Sequence, residues 1–189
     1  MYDSERDAFM VAFKALGYSM NTQNEDEIQA AYQWLMEQRQ TMDPIYVIDE
    51  VIDGMMNGNK DMAVVYSGDA ATILSENEDM GFFMPTEGTN MWSDCMVIPA
   101  NAENPKLAHE FINYILSYDA SLDNSETVGY ASSNQEVLDE LSGEGGLFEG
   151  NEAYLPRDGY DKDEVFNDNQ VLKERLTELW IKVKAGEQS

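Results

Sequence analysis

Trp92 and Asp94 place an aromatic ring and a carboxylate two residues apart within an apolar run. Their neighbours, Met91 on one side and Met96 to Ile98 on the other, predict a buried strand in which both side chains share one face. A carboxylate beside an indole among buried residues is costly unless a cation or a donor satisfies it. An amine would do so, because its N–H groups bond the carboxylate and the ring adds about 1–2 kcal/mol of cation–π attraction. The alternative interpretation is a strand-edge aspartate that faces water.

Tyr66 and the residues at the beginning of the chain have the same chemical character. Tyr66 closes an apolar run, 62–66, and ligands of open α/β sheets bind at the carboxyl ends of strands. A packing role is the alternative for this tyrosine. Asp3, Ser4 and Asp7 gather at the start of a predicted helix, where capping and the helix dipole already favour such residues. Several features of one kind nevertheless suggest a site for an organic cation.

The charge of the chain points in the same direction. Its 189 residues contain 37 acidic and 11 basic side chains, which gives a formal net charge of -26. A field of this sign repels phosphate backbones and anionic membranes, so nucleic acid is not expected as a partner. It attracts metal ions and organic amines. Solubility alone would also account for an acidic surface.

Catalytic, redox and metal-binding patterns are not found in the sequence, which predicts a protein that is not an enzyme and needs no cofactor. His109 is the sole histidine and lies at helical spacing, so a Ser-His-Asp or Cys-His arrangement has no support. Cys95 is the sole cysteine, which excludes an intramolecular disulfide. The glycines of 143–146 lack the Lys-Ser/Thr of a phosphate loop. A cluster of four polar residues does not fit the EF-hand spacing, so we predict no metal site there: Asp161, Asp163, Asn167 and Asp168.

Hydrophobic periodicity predicts the elements that position these residues. We expect helices over 4–17, 25–40, 44–56, 70–74 and 169–184, together with a helix from residue 105 and a shorter one leading to Gly129. Apolar runs predict strands at 62–66, 81–85 and 91–98, and 142–163 is expected to be irregular. This alternation is typical of an α/β layered domain. No apolar run reaches the roughly 20 residues of a membrane span, and no signal peptide opens the chain.

An ordered set of motifs runs along nearly the whole chain. They are DSERDAF at 3–9, LGYS at 16–19, VVYSG at 64–68, PTEG at 85–88, WSD at 92–94, IPANA at 98–102, NYIL at 113–116 and ETVGY at 126–130. In this order and spacing, the chain resembles the C-terminal portion of the bacterial spermidine/putrescine-binding proteins, the extracytoplasmic solute-binding components of polyamine ABC importers. The resemblance weakens after about residue 140.

The resemblance implies a periplasmic-binding-protein-like α/β fold, the type II clamshell, of which this chain holds a truncated part. Residues 1–94 would belong to the second lobe, 95–140 to the helical part of the first lobe, and 141–189 would return to the second. In the family, aromatic rings sandwich the methylene chain of the polyamine and carboxylates hold its ammonium ends. Family members continue before the point where this chain begins, and those residues build most of the first lobe.

Seven ligand-binding residues are implied by position in the family pattern: Asp94, Trp92, Tyr66, Asp7, Tyr130, Asp3 and Ser4. Asp94 corresponds to a carboxylate that grips an amine, and Trp92 to a wall of the aromatic box. Tyr66 stands where the family commonly has tryptophan.

The other implied positions depart further from the family. Asp7 falls on an amine-binding glutamate and is one methylene shorter. Ser4 falls where an aspartate can serve, so Asp3 or Ser4 is expected to fill that role less strongly. Tyr130 corresponds to a tyrosine contributed from the opposing lobe. A ligand-contacting glutamine of the family falls near Phe166 and Asn167, where the correspondence is poor.

These observations predict polyamine binding for ABC-transporter uptake outside the cytoplasm, with spermidine or putrescine and a cognate permease as partners. We expect weak binding by this chain alone, because half a site leaves its carboxylates in water. Helix faces that include Phe111, Ile112 and Ile115 would lack part of their core, so we expect dimerisation or rearrangement to cover them. The alternatives are a related receptor for another organic cation or a metal complex, and an acidic interaction or calcium-responsive module.

Overall fold

The computed structural model describes residues 1–186 and is mostly helical. Within that range the helices are α1 Glu5–Ala15, α2 Glu25–Met42, α3 Glu50–Met56, α4 Ser67–Glu76, α5 Pro105–Ile115, α6 Tyr118–Val128, α7 Gln135–Ser142 and α8 Gln170–Ala185. In the described part of the chain, β-sheet hydrogen bonding is limited to two isolated parallel bridges, which join Tyr2 to Val47 and Asn90 to Glu164.

The largest core forms where α1, α2 and α8 pack together. Helix α1 begins at Ser4, whose hydroxyl accepts a hydrogen bond from the Asp7 N–H at 3.4 Å, and the chain turns away at Gly17 with a φ of 78°. Helical spacing then places an apolar stripe of each helix in the core: Ala8, Phe9, Ala12, Phe13, Ile28, Ala31, Tyr32, Leu35, Met36, Leu176, Leu179, Trp180 and Val183. Each large side chain buried in this way contributes about 1.5–3 kcal/mol.

Two smaller cores lie around α4. One packs α4 against α7 and the turns that follow α7, where the rings of Phe148 and Tyr154 stack with centroids 4.3 Å apart. The other joins Tyr2 to Val51, Met55 and Ile73, and so connects the start of the chain to α3 and α4. Helix α4 therefore contacts both the beginning and the later part of the chain.

The helical predictions are confirmed with one exception. In the range 44–56, helix α3 begins only at Glu50. Helix α2 ends at Met42, and its C-cap residue Asp43 has the left-handed conformation with a φ of 45°. The backbone of Val47 then pairs with the first residues of the chain, since its carbonyl accepts from the Asp3 N–H at 2.9 Å and its N–H donates to the Met1 carbonyl at 3.2 Å. Backbone groups used in this bridge are not available to a helix.

The three predicted strands are wrong as secondary structure. Residues 62–66, 81–85 and 91–98 join no ladder within residues 1–186, and the nearest approach to one is the single bridge of Asn90 to Glu164. A strand exists only when a neighbouring segment accepts and donates its hydrogen bonds, and an apolar run does not supply that neighbour. The range 142–163 is irregular, as predicted: after α7 ends at Ser142 it contains turns but no regular element.

The segment before α8 is fixed by two ion pairs. Lys14, buried in α1, donates to Glu164, and Arg157 donates to both oxygens of Asp163 at 2.6 and 3.0 Å. Burial acts to raise the pKa of Asp163, but hydrogen bonds from Arg157 and the Thr89 N–H hold that pKa below its ordinary value. Burial likewise opposes ionisation of Glu164, yet donors that include Lys14 keep its pKa low. Both carboxylates therefore stabilise the fold in their charged form.

Helix α5 exposes its apolar face. None of its residues is buried, and Leu107, Phe111 and Tyr114 are more than half exposed, with Phe111 at 58%. Of the three residues expected to be uncovered on this face, Phe111 is exposed, whereas Ile112 and Ile115 are half-buried. In the described part of the chain, no helix is both long enough and apolar enough to cross a membrane.

Candidate ligand-binding site

Four aromatic rings form a continuous row. Tyr2 stacks on Tyr66, with centroids 4.4 Å apart and planes 27° apart. Tyr66 meets the edge of Trp92 at 6.1 Å, and Trp92 meets Tyr130 at 5.3 Å with an interplanar angle of 68°. Exposure varies along the row, because Tyr2 is 5% exposed and Trp92 is 43% exposed, whereas the last ring, Tyr130, is half-buried. We call these four residues the aromatic row.

Two glycines bring the ends of different helices together to build this row. Tyr66 is the N-cap of α4, and Tyr130 follows Gly129, the C-cap of α6 with a φ of 71°. A Cβ atom on Gly68 would lie 2.3 Å from Cε2 of Tyr130, and one on Gly129 would lie 2.7 Å from the Gly68 carbonyl oxygen. The Tyr130 ring can therefore lie against the first turn of α4 only because both positions lack a side chain.

Asp7 lies beside the row and is bonded by neutral donors. Its Oδ2 atom accepts from the Ser4 hydroxyl at 2.5 Å and from the Tyr66 hydroxyl at 3.0 Å, and the residue is 8% exposed. Burial and the adjacent Asp7 carboxylate raise the pKa of Tyr66, which keeps this hydroxyl protonated as a donor. Because both of these donors are neutral hydroxyls, a cation that approached the buried carboxylate would stabilise its charged form further.

Two more carboxylates, Asp69 and Asp94, also border the row. Burial raises the pKa of Tyr130 to about 12, and the negative charges of Asp69 and Asp94 contribute to that increase. Asp69, in the first turn of α4, accepts a hydrogen bond from the Tyr2 hydroxyl. Asp94 is exposed. Within residues 1–186, neither of these carboxylates nor Asp7 forms an ion pair with a lysine or arginine.

The structure brings together six of the seven residues singled out from the sequence, and Asp3 is the one it holds apart. The assembled residues are Trp92, Tyr66, Tyr130, Asp7, Ser4 and, through its charge on Tyr130, Asp94. The Asp3 carboxylate instead accepts from Trp180 Nε1 at 2.9 Å and from Lys184 Nζ at 2.8 Å. The hydrogen bond from Lys184 lowers the pKa of Asp3. Asp3 therefore ties the start of the chain to α8.

The two other segments considered from the sequence also have structural partners. Phe166 lies under the Arg6 guanidinium at 4.7 Å, and the Asn167 N–H donates to the Asn21 side chain at 2.8 Å. Of the acidic group at 161–168, Asp163 is bonded by Arg157. Across the described residues, no cluster of three or more His, Cys, Asp or Glu side chains could hold a metal ion.

Tyr2 and Asp69 belong to the site but do not follow from the sequence pattern. Asp69 lies three residues after Tyr66, and a helix start at Ser67 would have indicated that its carboxylate lies near the same helix end. Nothing local marks Tyr2, because its contact with Tyr66 spans 64 positions, the difference between 66 and 2.

A separate cavity of about 600 Å³ does not include the aromatic row. Its Asp3 carboxylate is already bonded by Lys184 and Trp180. The residues lining it are Asp3, Tyr46, Val47, Ile48, Asp49, Glu50 and Asp53. The lining of this cavity includes a single ring, that of Tyr46, whereas the aromatic row combines four rings with carboxylates, so we place the candidate site at the aromatic row.

A row of rings bordered by carboxylates that form no ion pair with a lysine or arginine of residues 1–186 is chemically suited to a positively charged solute. The chain belongs to the family of bacterial extracellular solute-binding proteins, whose family model matches residues 1–148. Its fold is that of the periplasmic-binding-protein-like polyamine binders, in part.

Three relatives define the comparison more narrowly. The spermidine/putrescine-binding periplasmic protein of Salmonella typhimurium is 30% identical over 184 residues, which are 97% of this chain and 52% of that protein. A spermidine/putrescine ABC transporter structure from Listeria monocytogenes matches with a TM-score of 0.82 and 34% identity, over 98% of this chain and 57% of that one. The substrate-binding protein PotD of a spermidine/putrescine ABC transporter from Streptococcus pneumoniae matches with a TM-score of 0.79 and 28% identity, over 99% and 57%. The chain thus spans about half the length of these relatives.

Proposed function

We propose that this chain binds polyamines, spermidine or putrescine, as part of the solute-binding receptor of an ATP-driven importer, and that it does so without catalysing a reaction. One observation carries the proposal: Asp7, Asp69 and Asp94 border a row of four rings, and no lysine or arginine of the described chain pairs with any of them. The relatives from Salmonella typhimurium and Listeria monocytogenes are named for the same two solutes, which supports this assignment.

Each part of a polyamine has a counterpart in this site. An ammonium group carries N–H donors, and a carboxylate that has kept free lone pairs accepts them in strong charge-assisted bonds. Asp94 and Asp7 would hold ammonium groups, with Asp69 as a third anion and Ser4 supporting Asp7. The methylene segments would lie against Trp92, Tyr66 and Tyr130, where apolar contact is combined with cation–π attraction. We do not assign Asp3 to the ligand, because Lys184 holds its carboxylate.

The exposure of the site suggests a clamshell with one side open. In this proposal residues 1–94 and 141–189 belong to the second lobe and 95–140 to the first, and the ligand closes the two lobes around itself. Trp92 is 43% exposed and Asp94 is exposed, so a first lobe would cover them in the closed form. Charges paired at an open surface contribute only about 0–1 kcal/mol each, so this chain alone should bind more weakly than a complete receptor.

The remaining partners follow from the same proposal. A receptor of this class acts outside the cytoplasm and delivers its solute to a cognate permease. The exposed face of α5, with Leu107, Phe111 and Tyr114, is an apolar surface of the kind that another protein surface covers. In the isolated chain we expect a second copy to cover it, and light scattering that finds a monomer at all concentrations would contradict this.

Titration calorimetry of spermidine and putrescine into this chain tests the binding function. The Asp94→Ala variant should bind both amines severalfold more weakly, whereas Asp61→Ala, which removes the same charge from an exposed position outside the site, should bind them as the unchanged chain does. A chain that binds neither amine would refute polyamine binding by these residues alone. Binding of choline or of calcium in preference to both polyamines would instead favour the receptor for another cation or the calcium-responsive module.

A further inference from the structure

Tyr2 and Tyr66 form a stacked pair in which each hydroxyl donates to a different carboxylate. The Tyr66 hydroxyl donates to Asp7 at 3.0 Å, and the Tyr2 hydroxyl donates to Asp69. The two rings lie 4.4 Å apart with planes 27° apart. The stack therefore links two carboxylates of the candidate site through one rigid unit.

Tyr2 is held on the side away from the row as well. It is 5% exposed and packs in a core with Val51, Met55 and Ile73. Its backbone is fixed by the bridge to Val47, because the following N–H, that of Asp3, donates to the Val47 carbonyl at 2.9 Å. A ring fixed by both backbone and core can orient its neighbours, whereas an exposed ring would move with them.

We propose that Tyr2 is a positioning residue of the amine-binding site: its ring fixes the plane of Tyr66, and its hydroxyl holds the Asp69 carboxylate in one orientation towards the ligand. The inference rests on the proposed function, since it assigns a role within that same site. Tyr2 itself does not touch the ligand in this proposal; it acts only by positioning Asp69 and Tyr66, which it contacts. A hydroxyl that occupies Oδ2 of Asp69 leaves the second oxygen of that carboxylate for an ammonium group.

The burial of Tyr2 favours this role over a purely structural one. Burial and the neighbouring Asp69 charge raise the pKa of Tyr2, so the hydroxyl remains a donor throughout the range in which proteins are stable. A core tyrosine needs only some acceptor for its hydroxyl, and a backbone carbonyl usually supplies it. Here the acceptor is a carboxylate that has no cationic partner in the part of the chain the structure describes and that borders Tyr130.

The test compares Tyr2→Phe, Asp69→Asn and the double variant in this chain, with spermidine and putrescine as probes in calorimetry. Tyr2→Phe keeps the ring and removes the hydroxyl, so affinity should fall about fivefold to tenfold. In the Asp69→Asn background the same change should have almost no further effect, because the hydroxyl acts through Asp69. Tyr118→Phe is the matched control: it removes a hydroxyl that donates to the Glu140 carboxylate outside the site, and affinity should not change. Unchanged affinity in Tyr2→Phe, or additive losses in the double variant, would overturn the proposal.

A second measurement does not depend on binding and separates the two hypotheses. Three-bond NMR couplings to the Asp69 Cγ carbon report its χ1 angle, which should be a single rotamer in the unchanged chain and an average in Tyr2→Phe. If amines do not bind but the couplings behave as expected, the proposed function fails, and the part of the inference that stands is that the Tyr2 hydroxyl orients the Asp69 carboxylate. If the Asp69 couplings are already averaged in the unchanged chain, the positioning role is wrong whatever the amines do.

Discussion

Replacing Gly68 with alanine should displace Tyr130 from the aromatic row with little effect on stability. The added Cβ atom would lie 2.3 Å from Cε2 of Tyr130 and 2.5 Å from two further ring atoms. Carbon atoms pack at about 3.5–4.0 Å, so the ring must move by about 1.2 Å, the difference between 3.5 and 2.3 Å. The T-shaped contact of Tyr130 with Trp92, now 5.3 Å between centroids, would be altered by a shift of that size.

The free energy of unfolding should respond to two opposed effects. Gly68 lies in α4 without a positive φ, so alanine gains up to about 1 kcal/mol of helix propensity. Overpacking in a rigid core costs about 1–3 kcal/mol, but the Tyr130 ring is only half-buried and can turn aside at the lower end of that range. We therefore expect a net change within about 1 kcal/mol, together with a clear change in the geometry of the site.

The assay combines urea denaturation, the indole N–H resonance of Trp92 and amine titration. In Gly68→Ala the Trp92 resonance should shift, because the ring current of Tyr130 moves, and affinity for spermidine should fall severalfold. Gly54→Ala is the matched control: it also replaces a helical glycine, in α3, and its Cβ would meet only the Lys60 side chain at 3.5 Å. The control should gain up to about 1 kcal/mol and leave the Trp92 resonance in place. A Gly68→Ala chain whose Trp92 resonance and spermidine affinity match those of the unchanged chain would refute the close packing of Tyr130 on α4.

Two further predictions concern the segment before α8. Lys14→Met should lower the free energy of unfolding, measured by urea denaturation, by about 2–4 kcal/mol, because it leaves the Glu164 carboxylate partly buried without its cation. The control Lys106→Met removes the cation of an exposed pair and should change the free energy of unfolding by less than about 1 kcal/mol. Acid should also loosen this segment. The pKa of Glu164 is held below its ordinary value of 4.5, so its contribution is fully present above pH 4.5 and is lost as pH falls through the lower folded-state value. The Glu164→Gln chain should therefore show a flatter decline of stability below pH 4.5, and an identical decline in both chains would contradict this.

A local element could be predicted where all the residues that determine it lie in one continuous segment. The helix at residues 5–15 has its cap at Ser4, its apolar stripe and its stop at Gly17 within one continuous stretch, and all three appear as expected. The run at 62–66 is equally clear as a pattern, but a strand also needs a partner, and none is found in the described chain. Hydrophobic pattern indicates what a segment can bury, while pairing depends on distant residues.

The site was predictable only in part for the same reason. Trp92 and Asp94 were singled out as one face of a buried strand, and that reason is wrong, because 91–98 forms no strand and both side chains are exposed. Tyr130 entered through its resemblance to a family position, and the reason it reaches Trp92 lies in two glycines, at 68 and 129, that no periodicity marks as special. Asp3 shows the reverse case. Its position beside Ser4 suggested that it belongs to the site, but α8 packs nearby and its Lys184 donates a hydrogen bond to the Asp3 carboxylate.

The distribution of positive charge explains how so acidic a chain folds while the carboxylates of the proposed site keep no lysine or arginine partner in residues 1–186. Only 11 basic side chains are available to 37 acidic ones. Several of them are used where the fold needs them, since Lys14, Arg157 and Lys184 each bond a carboxylate that connects distant parts of the chain. The carboxylates beside the aromatic row receive hydroxyl donors instead, from Ser4 and Tyr66 to Asp7 and from Tyr2 to Asp69.

A hydroxyl orients a carboxylate without neutralising it. A lysine in the same place would also satisfy the carboxylate, but it would have to be displaced before an ammonium group could bind, and its charge would repel that group. Hydroxyl donors therefore orient Asp7 and Asp69 without supplying a positive charge, and in the proposed function the solute supplies it.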